Sequence, residues 1–320
     1  MNSPTNLSKK INIVVPCYQE EENIIHTVNG IKNEINGIEN INFNILLIDD
    51  GSNDKSFEII KSLAVNDKNI KGIKFSRNFG SHNTISAGID FSKNYDAFIC
   101  IPGDFQEPPI LIKSLINKWL QGNEVVWSIR KKRKQSIIGK LLSKLFYFIF
   151  LRVSYLKNYP KEGPSGCFLL DKKVIDSWSK IKETNLMVIG MIVWMGFKQS
   201  FVEYNQLDRI KGVSSYSFRK LLNLAINTLV SFSYFPIRLI SFIGIIFSIV
   251  GFVYAVFLVY NKFFGNSIVE GWTSLMVIIL FLGGIQLLTL GIIGEYIWRG
   301  VDESKQRPTY LISEKINIEE

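Results

Sequence analysis

The chain changes character near Phe232: before it, short apolar runs alternate with polar, helix-like segments, and beyond it the residues are almost continuously apolar. In the first part INIVVPCY, FNILLIDDGS, IKGIKFS and DAFICIPGD read as four strands, each ending in a polar or glycine-containing loop. Strands separated by helical segments predict an α/β domain. In open α/β sheets ligands collect beyond the carboxyl ends of the strands. The positions to weigh are therefore Tyr18 and Glu20, then 49–52, 77–80 and 104–107.

Beyond Phe232, the apolar runs 235–260 and 272–293 predict two membrane spans, since a helix needs about 20 residues to cross ~30 Å of hydrocarbon. The link 261–271 carries one lysine and one glutamate, whereas Arg238, Arg299, Lys305 and Arg307 flank the outer ends. That bias predicts a hairpin with both outer flanks in the cytosol. Gly283, Gly284, Gly291 and Gly294 are small enough to allow close helix contact. No apolar stretch long enough for a signal peptide precedes the first strand, so the N-terminal domain is expected in the cytosol. The organisation expected is an α/β domain over 1–231, with interfacial helices at about 137–156 and 218–232, two transmembrane helices within 232–297, and a cytosolic tail over 298–320 whose end is loosely ordered.

At 47% hydrophobic residues the chain is not disordered. Its net charge of +9 includes one dense cluster, Arg130, Lys131, Lys132, Arg133 and Lys134. Standing ahead of an apolar, aromatic stretch, that cluster suits an anionic membrane surface or a phosphorylated substrate, not nucleic acid. Cys17, Cys100 and Cys167 have no metal-ligand spacing and are expected to be reduced and buried; His26 and His82 form no triad or zinc signature.

The strand-end loops hold the candidate chemistry. Asp49, Asp50, Gly51 and Ser52 place two carboxylates before a tight turn, suited to a nucleobase or ribose and equally to capping the next helix. Arg77 and Asn78 beside Gly80 suit a phosphate or a surface turn. Asp104 and Gln106, two residues apart after Gly103, could bridge a hard divalent cation to a diphosphate, or simply close the loop before a helix starting at Pro108 or Pro109.

Taken together these segments resemble glycosyltransferase family 2, in particular the polyprenyl-phosphate glycosyltransferases related to dolichyl-phosphate mannose synthase and the bactoprenol glucosyltransferases. The resemblance rests on VPCYQEEENI (15–24), IDDGSNDKS (48–56), FSRNFGSHNTISAGID (75–90), GDFQEPP (103–109), FLLDKKVID (168–176), DRIKGVSSYS (208–217) and GEYIWRGVDESKQRPTYLI (294–312). It implies a GT-A, Rossmann-like fold followed by the transmembrane hairpin. It also implies a nucleotide-sugar pocket made by Pro16, Tyr18, Glu20, Asp49, Asp50, Gly51, Ser52, Arg77, Asn78 and Gly103. Asp104 and Gln106 would hold a divalent cation, Mg2+ or Mn2+. Arg130, Arg133, Arg209, Ser214 and Tyr216 would meet the acceptor phosphate, with Asp104 and Arg209 catalytic. The implied activity is inverting transfer of a hexose, UDP-glucose being the first donor expected, onto polyprenyl phosphate at the cytoplasmic face of the plasma membrane, with room for a homo-oligomer. Three positions depart from the pattern: Pro102, where an acidic residue usually stands, Gly166, also usually acidic, and Gln206, where arginine is frequent. A weakly active or inactive relative that binds donor or lipid as a scaffold is the alternative those departures raise.

Overall fold

The computed structural model describes residues 8–131, 147–148, 150–154, 156, 159–160, 164–181, 183, 187–207, 232–233, 235–264 and 271–318. It divides into two compact units, one of 1–144, 158–216 and 307–320, the other of 145–157 and 217–306. Most of both expected interfacial helices lies outside the described residues.

The first unit is an eight-stranded mixed sheet of order β7-β5-β6-β4-β1-β2-β3-β8. Its centre is the predicted set: β1 (Lys9–Cys17), β2 (Ile41–Asp49), β3 (Ile70–Phe75) and β4 (Ala97–Cys100), all parallel. Ile11, Ile13, Val14 and Val15 are fully buried at successive or alternate positions, as expected where helices cover both faces of a parallel sheet. Helices α1 (Ile24–Ile35), α2 (Ser56–Asn66), α3 (Ser81–Asp90) and α4 (Leu111–Leu120) supply that cover. In α1 the buried residues are Ile24, Thr27, Val28 and Ile31, one stripe of a 3.6-residue repeat. The first turn of α4 is built on the carbonyls of Pro108 and Pro109, which accept from Leu111 N and Ile112 N at 3.0 Å each. The three cysteines are free and buried, as expected.

Strands β5 (Val125–Arg130), β6 (Phe168–Asp171) and β7 (Gln199–Tyr204) extend the sheet beyond β4, with β6 antiparallel to both its neighbours and the short helices α5 (Lys172–Trp178) and α6 (Val188–Trp194) between β6 and β7. Here Trp127, Phe98 and Phe168 pack ring to ring, Phe168 lying 5.1 Å from Trp127 and 5.8 Å from Phe98. At the other edge the chain end is a strand, not the loosely ordered tail expected: β8 (Ile312–Ile316) pairs antiparallel with β3. Asn317 Nδ2 donates to the carbonyls of Ala64 at 2.6 Å and Ile70 at 2.9 Å, and Tyr310 stacks on Phe75 at 5.1 Å. The sequence ISEKI lacks the apolar run that revealed the central strands, because an edge strand meets water on one side.

Within the second unit, α7 (Phe235–Phe264) and α8 (Trp272–Ser304) are long and apolar enough to cross a membrane. Both outrun the predicted spans, and the 33 residues of α8 reach about 50 Å at 1.5 Å per residue. Phe247 meets Phe281 edge to face at 5.4 Å. The glycines expected to allow close helix contact do not make it: a Cβ on Gly283, Gly284, Gly291 or Gly294 would meet nothing within 4 Å.

Candidate active site

The ends of β1, β2 and β3 are bound into one rim by backbone and short polar side chains. Asp50 N donates to Cys17 O at 2.9 Å, Gln19 N to Ser52 Oγ at 2.9 Å and Glu20 N to Ser56 Oγ at 3.0 Å. Gly51 adopts φ +70, and a Cβ there would lie 2.3 Å from the carbonyl carbon of Arg77. Only glycine permits both that backbone and that approach. Tyr18 stands at the rim, 40% exposed.

Asp49 and Ser52, expected as nucleotide ligands, are instead internal. Asp49 is fully buried and its Oδ1 accepts from the hydroxyl of Ser52, whose backbone N–H also points to the carboxylate at 3.2 Å. This pair closes the turn after β2 and does not cap α2, at whose start Asp54 Oδ1 accepts from Ser56 N at 3.0 Å. Asp50 is 3% exposed and accepts from Phe79 N at 2.7 Å and Gly80 N at 2.9 Å. Its carboxylate thus serves the amides ahead of α3, where the helix dipole favours negative charge. Burial raises its pKa from the ordinary carboxylate value, while the two amides pull the other way. Arg77 and Asn78 remain exposed on the same turn, the Arg77 guanidinium lying 4.1 Å over the Phe79 ring.

The loop after β4 sits across β1. Gly103 N donates to Pro16 O at 3.2 Å, and a Cβ on Gly103 would stand 3.2 Å from both that oxygen and Cys17 Sγ. Asp104 Oδ1 accepts from Gln106 N at 3.2 Å. Between them Phe105 takes φ +56, a conformation that bulky residues rarely adopt and that marks functional loops. Its ring is held against α1 at Gly30, where a Cβ would come within 3.2 Å of it and 2.8 Å of Pro109 Cγ. Gln206 Nε2 donates to Gln106 Oε1 at 2.9 Å. Among the described residues no group of three or more His, Cys, Asp or Glu side chains could cage a metal. One carboxylate beside one amide oxygen fits a hard cation whose remaining ligands are phosphate oxygens and water, the habit of Mg2+.

Next to this loop lies a buried polar cluster that sequence reasoning missed. Glu107, 2% exposed, accepts at Oε1 from Arg130 Nη2 at 3.0 Å and from Tyr204 OH at 2.9 Å, while Arg130 Nε donates to Tyr204 OH at 3.0 Å. Burial, with the charge of Asp104 adding, pushes the Glu107 carboxyl up from its ordinary range. The only sequence signal was an acidic residue in front of the paired prolines. Two of the departures from the family pattern also meet here: a Cβ on Gly166 would stand 2.8 Å from Pro102 Cγ. The structure therefore brings Pro16, Tyr18, Glu20, Asp50, Gly51, Arg77, Asn78, Gly103, Asp104, Gln106 and Arg130 to the carboxyl ends of the strands. Arg133, Arg209, Ser214 and Tyr216 lie outside the described residues. A cavity of about 630 Å³ opens at the opposite strand ends, lined by Lys10, Asn12, Asn44, Lys71 and Tyr95 among others, and holds none of these residues.

A parallel-centred sheet with its strand-end loops gathered on one side, one of them carrying a cation-capable pair, defines a GT-A-like α/β domain. The family model Glycosyl transferase family 2 matches residues 12–178. The chain is 40% identical over 309 residues to the uncharacterized glycosyltransferase YkcC of Bacillus subtilis, covering 96% of this chain and 94% of that one. It is 36% identical over 304 residues to a prophage bactoprenol glucosyl transferase homolog of Escherichia coli, covering 95% and 98%. It is also 36% identical over 307 residues to the bactoprenol glucosyl transferase of Shigella phage SfV, covering 95% and 98%. Glucosyl-3-phosphoglycerate synthase from Mycobacterium tuberculosis, solved with Mn2+, UDP and glucosyl-3-phosphoglycerate, shares the fold at TM-score 0.50 and 15% identity over 70% of this chain and 79% of that one. The chain belongs to glycosyl transferase family 2 and is a glycosyltransferase.

Proposed function

We propose that this glycosyltransferase moves a hexose, glucose first, from a nucleotide-sugar such as UDP-glucose onto the phosphate of a polyprenyl lipid, for later use in modifying a cell-surface glycan. The supporting observation is the near full-length likeness to bactoprenol glucosyl transferases in a chain with two membrane-length helices. In this reading α7 and α8 anchor the enzyme in the plasma membrane as a multi-pass hairpin, with residues 1–231 catalytic and cytoplasmic.

Pro16, Tyr18, Glu20 and Gly103 form the rim for the nucleotide, and Asp50 acts from beneath by fixing the turn that presents Arg77 and Asn78 to the diphosphate. Asp104 and Gln106 are the residues that would hold Mg2+ or Mn2+, which supplies charge neutralisation to the departing diphosphate. A lipid monophosphate is anionic near neutral pH, so it brings its own nucleophilic oxygen and needs little help from a base. Attack in line at the anomeric carbon inverts the configuration there. The bond to the nucleotide diphosphate breaks with its electron pair leaving on the diphosphate oxygen, where Arg77 and Arg209 meet the growing charge. A panel of labelled nucleotide-sugars with undecaprenyl phosphate and divalent cation tests the reading. Labelled lipid from one donor is expected; binding without transfer from any donor supports a scaffold instead.

A further inference from the structure

Arg130 ends β5 with its side chain 28% exposed, yet it is not a loose surface arginine. A guanidinium has five N–H donors in a rigid fork. Here the Nε donor is spent on Tyr204 and one Nη2 donor on Glu107, which fixes both the plane and the rotation of the fork. The third side of the triangle, Tyr204 OH to Glu107 Oε1 at 2.9 Å, closes it. Each corner comes from a different part of the fold: the loop after β4, the end of β5 and the end of β7.

The residues that follow Tyr204 tie down the loop that holds the cation-capable pair. Leu207 N donates to Gln106 O at 3.0 Å and Gln206 Nε2 to Gln106 Oε1 at 2.9 Å. The strand that carries Tyr204 therefore runs straight on into contact with the 104–107 loop. Glu107 is bonded to Arg130, whereas Gln106 beside it is held separately by Gln206 and Leu207.

We propose that Glu107 and Tyr204 are positioning residues for the acceptor: they hold the Arg130 guanidinium still so that its remaining N–H groups receive the lipid phosphate, and they lock that subsite in register with Asp104 and Gln106. The inference rests on the lipid-phosphate transfer proposed above. Neither residue touches substrate; both act through Arg130. A planar fork already oriented loses little freedom on binding an anion bidentately. A buried carboxylate is the partner that keeps it so, because the pair is shielded from competing water and salt.

The test uses the full-length protein in detergent, with Glu107→Gln and Tyr204→Phe, each alone and with Arg130→Ala. Binding of farnesyl phosphate is measured directly, with farnesol as the control for the chain, and the KM values for UDP-glucose and undecaprenyl phosphate are measured in transfer. Loss of a hydrogen bond to a charged group predicts that each single variant raises the farnesyl phosphate Kd and the acceptor KM about tenfold. The donor KM should stay within about twofold, and neither substitution should add more than about twofold once Arg130 is alanine, the signature of residues acting through one partner. Unchanged farnesyl phosphate binding in both variants overturns the proposal. So does a parallel rise in donor and acceptor constants with a lower melting temperature, which would mark a purely structural cluster. Should Glu107→Gln fail to fold, Tyr204→Phe decides alone. Wild-type protein that neither binds farnesyl phosphate nor transfers sugar overturns the functional reading as well; wild-type binding shared by the variants overturns this inference only.

Discussion

Pro102 occupies the space that a side chain at residue 166 would need, its Cγ lying 2.8 Å from where a Cβ on Gly166 would stand. Two of the three departures from the family pattern are thus coupled in packing. Gly166→Ala alone is expected to destabilise the protein by about 1 kcal/mol through overpacking. In a Pro102→Ala background, where Cγ is gone, the same substitution should cost close to nothing. Chemical unfolding of the four variants followed by tryptophan fluorescence checks the coupling; equal costs in both backgrounds would show the contact to be irrelevant.

Asp104→Ala should reduce sugar transfer by at least ~100-fold, the scale of losing a group that stabilises leaving-group charge. The melting temperature should hold, because Asp104 is only half-buried and lies on a loop. Labelled lipid product at saturating Mg2+ is the readout.

Gly30→Ala separates helix from loop. Alanine favours the helix by up to ~1 kcal/mol, but its Cβ would press Pro109 Cγ at 2.8 Å and the Phe105 ring at 3.2 Å. Stability near that of wild type with transfer reduced several-fold is expected, and the loss should be greatest at low cation concentration, where the set of the Asp104 and Gln106 loop matters most. A cation titration of both proteins tests it.

Glu107 gives a pH signature. Its folded pKa is raised, chiefly by burial, above the ordinary value of 4.5, so the folded chain holds this proton more tightly than the unfolded chain. Its contribution to stability is therefore full below 4.5 and lost as pH rises through the raised folded value. Melting curves of wild type and Glu107→Gln across that window should show the wild-type advantage shrinking as pH increases; a constant difference would count against an ionising Glu107.

Removing residues 309–320 should lower the melting temperature and promote aggregation. It strips β8 from β3, removes the Tyr310 stack on Phe75 and the Lys61 to Glu314 ion pair at 2.7 Å, and opens a strand edge. Size-exclusion profiles of the truncated and full chains in the same detergent are the check.

What could be read in advance was what short stretches of chain decide for themselves. The runs IVV, ILLI and FIC announced β1, β2 and β4 because strands covered on both faces are continuously apolar. The two long apolar runs announced α7 and α8 in the same way. Partnership could not be read. Asp49 and Asp50 are neighbours in one motif, yet one closes its own turn and the other reaches 29 residues on to Phe79. Glu107 was visible inside GDFQEPP, but its partners Arg130 and Tyr204 are 23 and 97 residues away. Polar ISEKI became a strand only because β3 offered it an open edge.

That last pairing also governs the order in which the enzyme can be made. The sheet borrows its outermost strand from residues that follow both apolar helices in the chain. A nascent polypeptide must therefore deliver its hairpin before the ribosome releases the piece that seals β3. Until then β3 carries an unmatched row of backbone amides and carbonyls along its outer side.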